Sequence, residues 1–197
     1  GTYALSADTT GSLSVAVGDR ALASQNFTTA TNAYNTAVGA SAGLSVTTGQ
    51  FNTLVGGLAG DAITDASGNV AMGYAALSTN TTGEFNTAIG REALEANLGA
   101  DHNTAVGFRA GEAVTSGTFN TLVGSGAGDA LTDADSNVAI GYLSLTTDTL
   151  GSRAVAVGQG ALFSQNFTTA TNSYNVGIGY ETGGAINTGF AEACFNG

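Results

Sequence analysis

Carboxylates at a fixed spacing are the side chains in this sequence that are best suited to chemistry. Glu95, Glu112 and Asp129 stand at equal intervals along the chain. Asp133 and Asp135 follow soon after them. Clustered carboxylate oxygens are the ligands that Ca²⁺ prefers, so these five residues form a candidate calcium site. If the fold stacks these carboxylates about 4.8 Å apart, their like charges repel by roughly 1 kcal/mol per pair in water, which a bound Ca²⁺ would relieve. The alternative interpretation is a solvent-exposed acidic edge that opposes sideways aggregation.

Other chemistry has little support in the composition. His102 is the only histidine and Cys194 the only cysteine, which excludes a His-rich metal site and an intrachain disulfide. Any Ser-His-Asp triad would have to be built around His102, which we interpret as a surface substitution, whereas we interpret Cys194 as a packed thiol. Paired carboxylates could cleave glycosides, but no pair stands out from the repeating series. We therefore expect no enzymatic activity and no cofactor other than the candidate Ca²⁺.

The charge balance argues against two classes of partner. The chain of 197 residues carries a net charge of −11, with only four basic residues, all of them arginine. Nucleic-acid binding needs a basic surface that displaces counterions from the phosphates. No apolar run reaches the roughly 18 residues of a membrane-spanning helix. We expect neither nucleic-acid binding nor membrane insertion.

The spacing of the carboxylates belongs to a repeat that covers the whole chain. Its unit is typified by Asn35-Thr36-Ala37-Val38-Gly39, and we count positions from the final glycine as position 0. The equivalent residues have the numbers 1, 18, 39, 56, 73, 90, 107, 124, 141, 158, 179 and 196. Nine of the steps are equal in length, as from Gly39 to Gly56, and two are longer, as from Gly18 to Gly39. A fixed short period indicates a repeat architecture before any local propensity is considered.

Each unit predicts one short β-strand. Position −1 is Val, Ile or Met, position −3 is Thr or Val, and position −2 is mostly Ala. We expect positions −1 and −3 to face the core and position −2 to face outward. Consecutive strands of one direction and register predict an all-β fold, a parallel β-solenoid of about eleven coils, two of them with four-residue insertions. The Asn at position −4 should form a ladder of stacked amides, and position 0 should turn with positive φ.

Longer periods group the coils. Position +4 shows two Leu and then two Gly, a superperiod of four coils. A large Leu54 at position −2 accompanies Gly60 at +4, which predicts volume exchange in a packed interior or at a subunit contact. The chain also resembles itself at a longer offset, as between Gln25 and Gln165, so we divide it into one superunit, 1–140, and part of a second, 141–197. Neither end shows a polar cap, and we expect 1–197 to be one continuous segment of a longer array.

The two insertions carry the same sequence, Gln25–Asn32 and Gln165–Asn172. They interrupt a strict period with aromatic and polar groups, as contacts with carbohydrate or protein require. The alternative is that the rings fold back over the coil. The candidate recognition residues are Asn26, Phe27, Tyr34, Asn166, Phe167 and Tyr174.

The repeat unit resembles known families. Its sequence is Asn-Thr-Ala-Val-Gly, with Ser14–Gly18 as a variant, and each is followed by Ala near +3. These repeats resemble the head repeats of YadA-type trimeric autotransporter adhesins. They also resemble repeat arrays in tail-fibre and other structural proteins of marine and cyanobacterial phages. The resemblance implies a left-handed β-roll, three chains around a common axis, and attachment at a cell or virion surface, with a cell-surface glycan as a candidate partner. The adhesin repeat is shorter than the repeat of this chain, and the neck and coiled-coil stalk of that family are absent.

Together these features predict a non-enzymatic structural fibre or adhesin shaft on a virion or cell surface, with an extracellular location. One alternative is a self-polymerising extracellular filament. A lesser alternative is an ice-binding solenoid, although the Thr column at +9 is broken by Asp65 and Gly99. Asn26, Asn80 and Asn166 stand in Asn-x-Thr sequons and are possible glycosylation sites, which would be unmodified in a bacterial or phage protein.

Overall fold

The computed structural model describes residues 1–189 and 194–195, and within these residues the chain is a parallel β-solenoid without helices. The strands are short because each coil turns sharply at both ends of its strand. They are β1 (Gly11–Ser12), β2 (Val15–Val17), β3 (Thr31–Asn32), β4 (Thr36–Val38), β5 (Thr53–Val55), β6 (Val70–Met72), β7 (Thr87–Ile89), β8 (Thr104–Val106), β9 (Thr121–Val123), β10 (Val138–Ile140), β11 (Gly151–Ser152), β12 (Val155–Val157), β13 (Thr171–Asn172), β14 (Val176–Ile178) and β15 (Cys194–Phe195).

Eleven of these strands form one sheet in the order of the coils, from β2 to β15. All neighbours are parallel, and the register follows the repeat: Thr36 pairs with Thr53, and Val38 with Val55. The insertions add two small parallel sheets, β1 with β3 and β11 with β13. The predicted solenoid is therefore confirmed. Asn196, the last predicted position 0, and the side chain of Cys194 lie outside the described part of the chain.

The assignment of strand faces was wrong. Position −2 faces the core, where Ala37, Leu54 and Ala88 are fully buried. Positions −3 and −1 face outward and remain partly exposed, up to 54% for Val17. The physical reason is that alternation separates two faces without saying which one is covered. The interior is narrow and accepts small side chains, while the larger β-branched residues stand on the outer surface of the sheet.

Four positions in each coil, −5, 0, +2 and +4, have backbone with positive φ. At position 0 the glycines have φ between 125° and 140°, which confirms the predicted turn. Positions −5 and +2 adopt left-handed backbone even with large side chains, such as Phe119 (φ 59°) and Leu143 (φ 52°). This conformation is uncommon for residues other than Gly, Asn and Asp. Its repetition in successive coils places the side chains of positions −5 and +2 in columns at the corners of the solenoid.

The interior confirms volume exchange between positions +4 and −2. A Cβ atom on Gly60 would lie 2.8 Å from Cδ2 of Leu54 and 2.8 Å from Cδ1 of Ile63. Position +7 takes part as well, which sequence reasoning missed. It is Asp, Gln or Asn in the coils with Leu at +4 and Val, Ile or Leu in those with Gly at +4. Coils with Leu at +4 therefore fill the interior from that position, whereas coils with Gly at +4 fill it from +7 and, in two coils, also from −2.

A ladder of buried asparagines runs beside the sheet, as predicted. The backbone N–H of Asn103 donates to Oδ1 of Asn86 at 2.9 Å, and Nδ2 of Asn103 donates to the carbonyl of Gly117 at 2.8 Å. Each member thereby joins three coils. The same pattern continues through Asn35, Asn52, Asn69, Asn86, Asn103, Asn120 and Asn137.

At the insertions the ladder is extended by a polar chain inside the coil. Nε2 of Gln165 donates to Oδ2 of Asp148 at 2.5 Å, and Nδ2 of Asn175 donates to Oε1 of Gln165 at 2.7 Å. Asp148 is fully buried and also accepts the backbone N–H groups of Gly151 and Phe167. The buried carboxylate is therefore satisfied by two donors of the insertion, from Gln165 and Phe167, and by the backbone of Gly151.

A double-mutant cycle on Leu54 and Gly60 would measure the volume exchange. Leu54→Ala leaves a cavity and should cost about 2–5 kcal/mol of unfolding free energy. Gly60→Ala should also destabilise, because its Cβ would meet Leu54. Together the two changes should cost less than their sum, with a coupling of about 0.5–3 kcal/mol, measured by urea unfolding followed by circular dichroism. Additive costs would contradict direct packing of the two positions.

Candidate interaction surfaces

The outer surface of the sheet concentrates the apolar exposure of the protein. We call it the strand face and define it as the columns at positions −5, −3, −1 and +1, on the strand and next to its ends. Among the large hydrophobic residues that are exposed within the described chain, only Tyr3, Leu98 and Phe163 lie elsewhere. The others are Leu13, Val15, Val17, Tyr34, Phe51, Met72, Tyr74, Phe85, Phe108, Phe119, Ile140, Tyr142, Tyr174, Ile178 and Tyr180.

Position −5 carries stacked rings. His102 lies between Phe85 and Phe119, with ring centroids 5.2 and 5.1 Å apart and planes within 12° of parallel. Tyr34 and Phe51 form a second stack at 5.7 Å. His102 is on the surface, as expected, but it takes the place of an aromatic residue in a column. The recurrence of these rings at the period of the repeat was a signal that sequence reasoning missed.

Position +1 combines aromatic rings with arginine. The guanidinium of Arg91 lies 6.0 Å from the ring centroid of Tyr74 and 5.8 Å from that of Phe108. Arg109 lies 5.1 Å from the same Phe108 ring. Both arginines also bind Glu92, each at 2.7 Å. Hydrogen bonds from Arg109 and Arg91 lower the pKa of Glu92, so this carboxylate is already compensated.

The structure brings together part of the predicted calcium site. Carboxylate oxygens of Glu92, Glu95 and Glu112 lie within 4.8 Å of one another. Sequence reasoning found Glu95 and Glu112 but missed Glu92, which reaches the cluster from position +2. Burial is the largest influence on the pKa of Glu112 and raises it. The attraction of Arg109 lowers this pKa, and repulsion from Glu95 raises it. Because two arginines already neutralise Glu92, the cluster has less need of a cation than a bare acidic column would have.

The other predicted calcium ligands are engaged separately. Asp129 accepts a hydrogen bond from the hydroxyl of Thr146 at 2.5 Å. Hydrogen bonds from Ser116 and then Thr115 lower the pKa of Asp133. Asp135 accepts bonds from both the backbone N–H and the hydroxyl of Thr118. None of the three belongs to the group formed by Glu92, Glu95 and Glu112.

The candidate recognition residues of the insertions divide into two sets. Phe27 and Phe167 are each only 5% exposed, so these rings fold back over the coil and their assignment to a recognition surface was wrong. Apolar rings of this size are stabilised by burial, which the longer coil permits. Tyr34 and Tyr174 are 50% and 59% exposed and belong to the strand face. Asn26 is exposed and Asn166 is half-buried.

Burial also separates the sequons. Asn80 is fully buried, its Nδ2 donates to the carbonyl of Gly83 at 2.8 Å, and its Oδ1 accepts the N–H of Gly83 at 2.8 Å. A glycan on this amide has no room in the fold, so the prediction at Asn80 was wrong. Asn26 and Asn166 stay predictions.

One cleft opens at the corner of the solenoid beside position +1. Its volume is about 180 Å³. Neighbouring coils contribute aromatic, polar and acidic side chains from positions +1, +2 and +5. The lining residues are Tyr142, Leu143, Thr146, Gln159, Gly160, Phe163 and Glu181.

Comparison with protein-family models found no match, and comparisons with curated proteins and with solved structures found none either. The fold itself places the chain in the structural class of parallel β-solenoids. In the described residues there is no helix that could cross a membrane.

Proposed function

We propose that this chain is a non-enzymatic structural shaft of a fibre or adhesin, exposed on a virion or cell surface. The chain self-associates through the strand face, and the assembly that we expect is a homotrimer. One observation carries the proposal: columns of exposed apolar and aromatic side chains at positions −5, −1 and +1 follow the sheet along the solenoid. Soluble monomers rarely expose apolar patches larger than a few hundred Å². An extended shaft is the role in which repeated coils with a common lateral interface are useful.

The size of the strand face supports stable association. The main sheet has eleven strands, and a spacing of about 4.8 Å gives a length of roughly 50 Å. If fully extended, the seven positions from −5 to +1 would span roughly 20 Å at about 3.3 Å per residue, and the turns at −5 and 0 make this an upper limit. The product, at most about 1,000 Å², is comparable with the roughly 800 Å² that each partner contributes to a standard interface. The surface is therefore large enough for a lasting contact between copies of the chain.

A charge placed on the strand face tests this proposal. Met72→Glu would bury a carboxylate in the apolar contact and should dissociate the assembly into monomers. At micromolar protein concentration we expect the fraction of monomer to rise at least tenfold. Leu98→Glu is the matched control, because Leu98 is more exposed than Met72 but lies outside the strand face. Light scattering during size-exclusion chromatography would measure the mass of both variants and the wild type. A monomeric wild type, or equal effects of both changes, would contradict self-association through this face.

Two other arrangements are distinguished by further measurements. The same strand face could hold a self-polymerising filament, which electron microscopy would show as fibrils without a fixed mass. An ice-binding solenoid is a second candidate because position −3 presents an outward row of half-exposed threonines. This row contains Thr36, Thr53, Thr87, Thr104 and Thr121 and is interrupted by Val70. Absence of thermal hysteresis would remove it.

A further inference from the structure

The cleft beside position +1 lies where a corner column has a glycine at position +2. Position +2 is Gly160 in this coil, whereas the neighbouring coils have Leu143 and Glu181 there. A Cβ atom on Gly160 would lie 3.2 Å from Cγ of Glu181 and 3.8 Å from Cδ1 of Phe163. A side chain at Gly160 would therefore press against Glu181 and enter the cleft, which side chains of three successive coils surround.

The chain contains an internal comparison for this cleft. Four coils earlier, the same columns hold Glu92 in place of Gly160 and Arg91 in place of Gln159. There the ion pairs between Glu92 and two arginines occupy the corner. Position +2 is also glycine at Gly126, but there an added Cβ would lie 2.6 Å from Cδ2 of Leu143, which fills the space. The opening at Gly160 is thus a local property and does not follow from the repeat.

The lining of the cleft has the chemistry of a sugar site. The rings of Tyr142 and Phe163 are 53% and 38% exposed and offer apolar surface to the C–H groups of a pyranose. The amide of Gln159 offers two donors and an acceptor. The carboxylate of Glu181 accepts hydrogen bonds from hydroxyl groups. Mostly apolar walls with a few convergent polar groups are typical of small-molecule sites.

The size and charge of the cleft restrict the class of ligand that it can bind. A volume of about 180 Å³ is below the roughly 300 Å³ at which sites for drug-sized molecules begin, so the cleft suits one ring of a longer glycan. In the described chain Glu181 forms no ion pair with an arginine, and the net charge of the protein is −11. An acidic sugar would be repelled. Glu181 already accepts a hydrogen bond from the hydroxyl of Tyr180. A neutral hexopyranose adds a further hydroxyl donor to this carboxylate without placing a charge against it.

We propose that the cleft formed by Tyr142, Gln159, Phe163 and Glu181 binds one neutral hexopyranose unit of a glycan. This inference goes beyond the proposed shaft function, which requires only the strand face. Tyr142 and Gln159 belong to both the cleft and the +1 column of the strand face, so the mass of each variant is measured together with its Kd. Lost sugar binding at unchanged mass reports on the cleft, and a changed mass reports on the shaft.

Saturation-transfer NMR on the wild-type chain tests the site. The probes are the methyl glycosides of glucose, galactose, mannose and N-acetylglucosamine, with glucuronic acid and tetramethylammonium for comparison. We expect transfer to at least one neutral glycoside with a millimolar Kd, and none to glucuronic acid. Absence of transfer to every neutral glycoside, or preferential binding of tetramethylammonium, would overturn the proposal in favour of an empty or cation-binding cleft.

Variants connect the signal to the cleft. Gly160→Leu should raise the Kd at least tenfold, and the backbone tolerates it because Leu58 and Leu143 adopt φ 59° and 52° at the same position. Tyr142→Ala should do the same. Tyr74→Ala is its matched control, with the same column and nearly equal exposure, and should leave the Kd unchanged. Equal binding by wild type and Gly160→Leu would contradict the site even if a sugar binds elsewhere.

Discussion

Gly56→Ala is expected to destabilise the solenoid by more than about 4 kcal/mol, a large effect for one methyl group. Gly56 has φ 137°, and an added Cβ would press against the carbonyl group of Gly73 in the next coil, 2.7 Å from its carbon atom. The two coils would have to separate, which breaks the hydrogen bonds of the sheet. Thermal unfolding followed by circular dichroism should show a fall in Tm of about 8–16 °C for a chain of this size.

The adjacent glycine is a matched control for this change. A Cβ on Gly57 would meet only Cδ2 of Tyr74 at 3.7 Å and the carbonyl oxygen of Ala40 at 4.0 Å. Position +1 carries Ala40, Tyr74 and other residues in neighbouring coils, so its backbone accepts a side chain. We expect Gly57→Ala to change the unfolding free energy by less than about 0.5 kcal/mol. Similar losses at Gly56 and Gly57 would show that close approach between coils is not what requires glycine.

Asn103→Asp is expected to destabilise the protein by about 3–5 kcal/mol at pH 7, because it leaves an unpaired charge in the buried ladder. The new oxygen would face the carbonyl of Gly117, to which Nδ2 of Asn103 now donates. A proton restores the donor, so the pKa of this Asp should be higher in the folded state than its unfolded value of about 4. The folded state then binds more protons, and stability should rise as the pH falls through the folded pKa toward the unfolded one.

Asn103→Ala separates the lost hydrogen bonds from the charge. It removes the acceptor for Asn120 and the donor to Gly117, and it should cost about 2–4 kcal/mol at any pH. The measurement is thermal unfolding of both variants and the wild type at pH 7 and pH 4.5. If Asn103→Asp loses as much stability at pH 4.5 as at pH 7, relative to the wild type, the buried amide is not the donor that the ladder requires.

Much of the fold could be predicted because identical units leave only one regular way to pack. The constant period of the repeat determines the number of coils and the register of Thr36 with Thr53. The direction of the strand face could not be predicted from alternation, which is symmetric. It depends on which side the rest of the coil closes, and that side is filled by residues at +3, +4 and +7. Ala37 is buried for this reason, while Val17 is left on the surface.

The candidate sites were predicted less completely, since they combine residues of different coils. Glu95 and Glu112 share one column and could be paired from the sequence alone. Glu92 comes from a different column and joins them only through the turn geometry. The burial of Phe27 and Asn80 likewise depends on the path of the surrounding loop. A sequon or an aromatic residue in an insertion does not report which way its side chain points.

The sequence by itself determined a parallel β-solenoid, its asparagine ladder and the glycines at its turns, because each follows from contacts between equivalent residues one period apart. Only the tertiary structure decided which side of the sheet is outside and where the corner opens beside Gly160. These features depend on how different positions of one coil and of its neighbours meet around the turns, as where Phe163 and Glu181 lie beside Gly160. Their geometry depends on how far each coil turns, which the period does not contain.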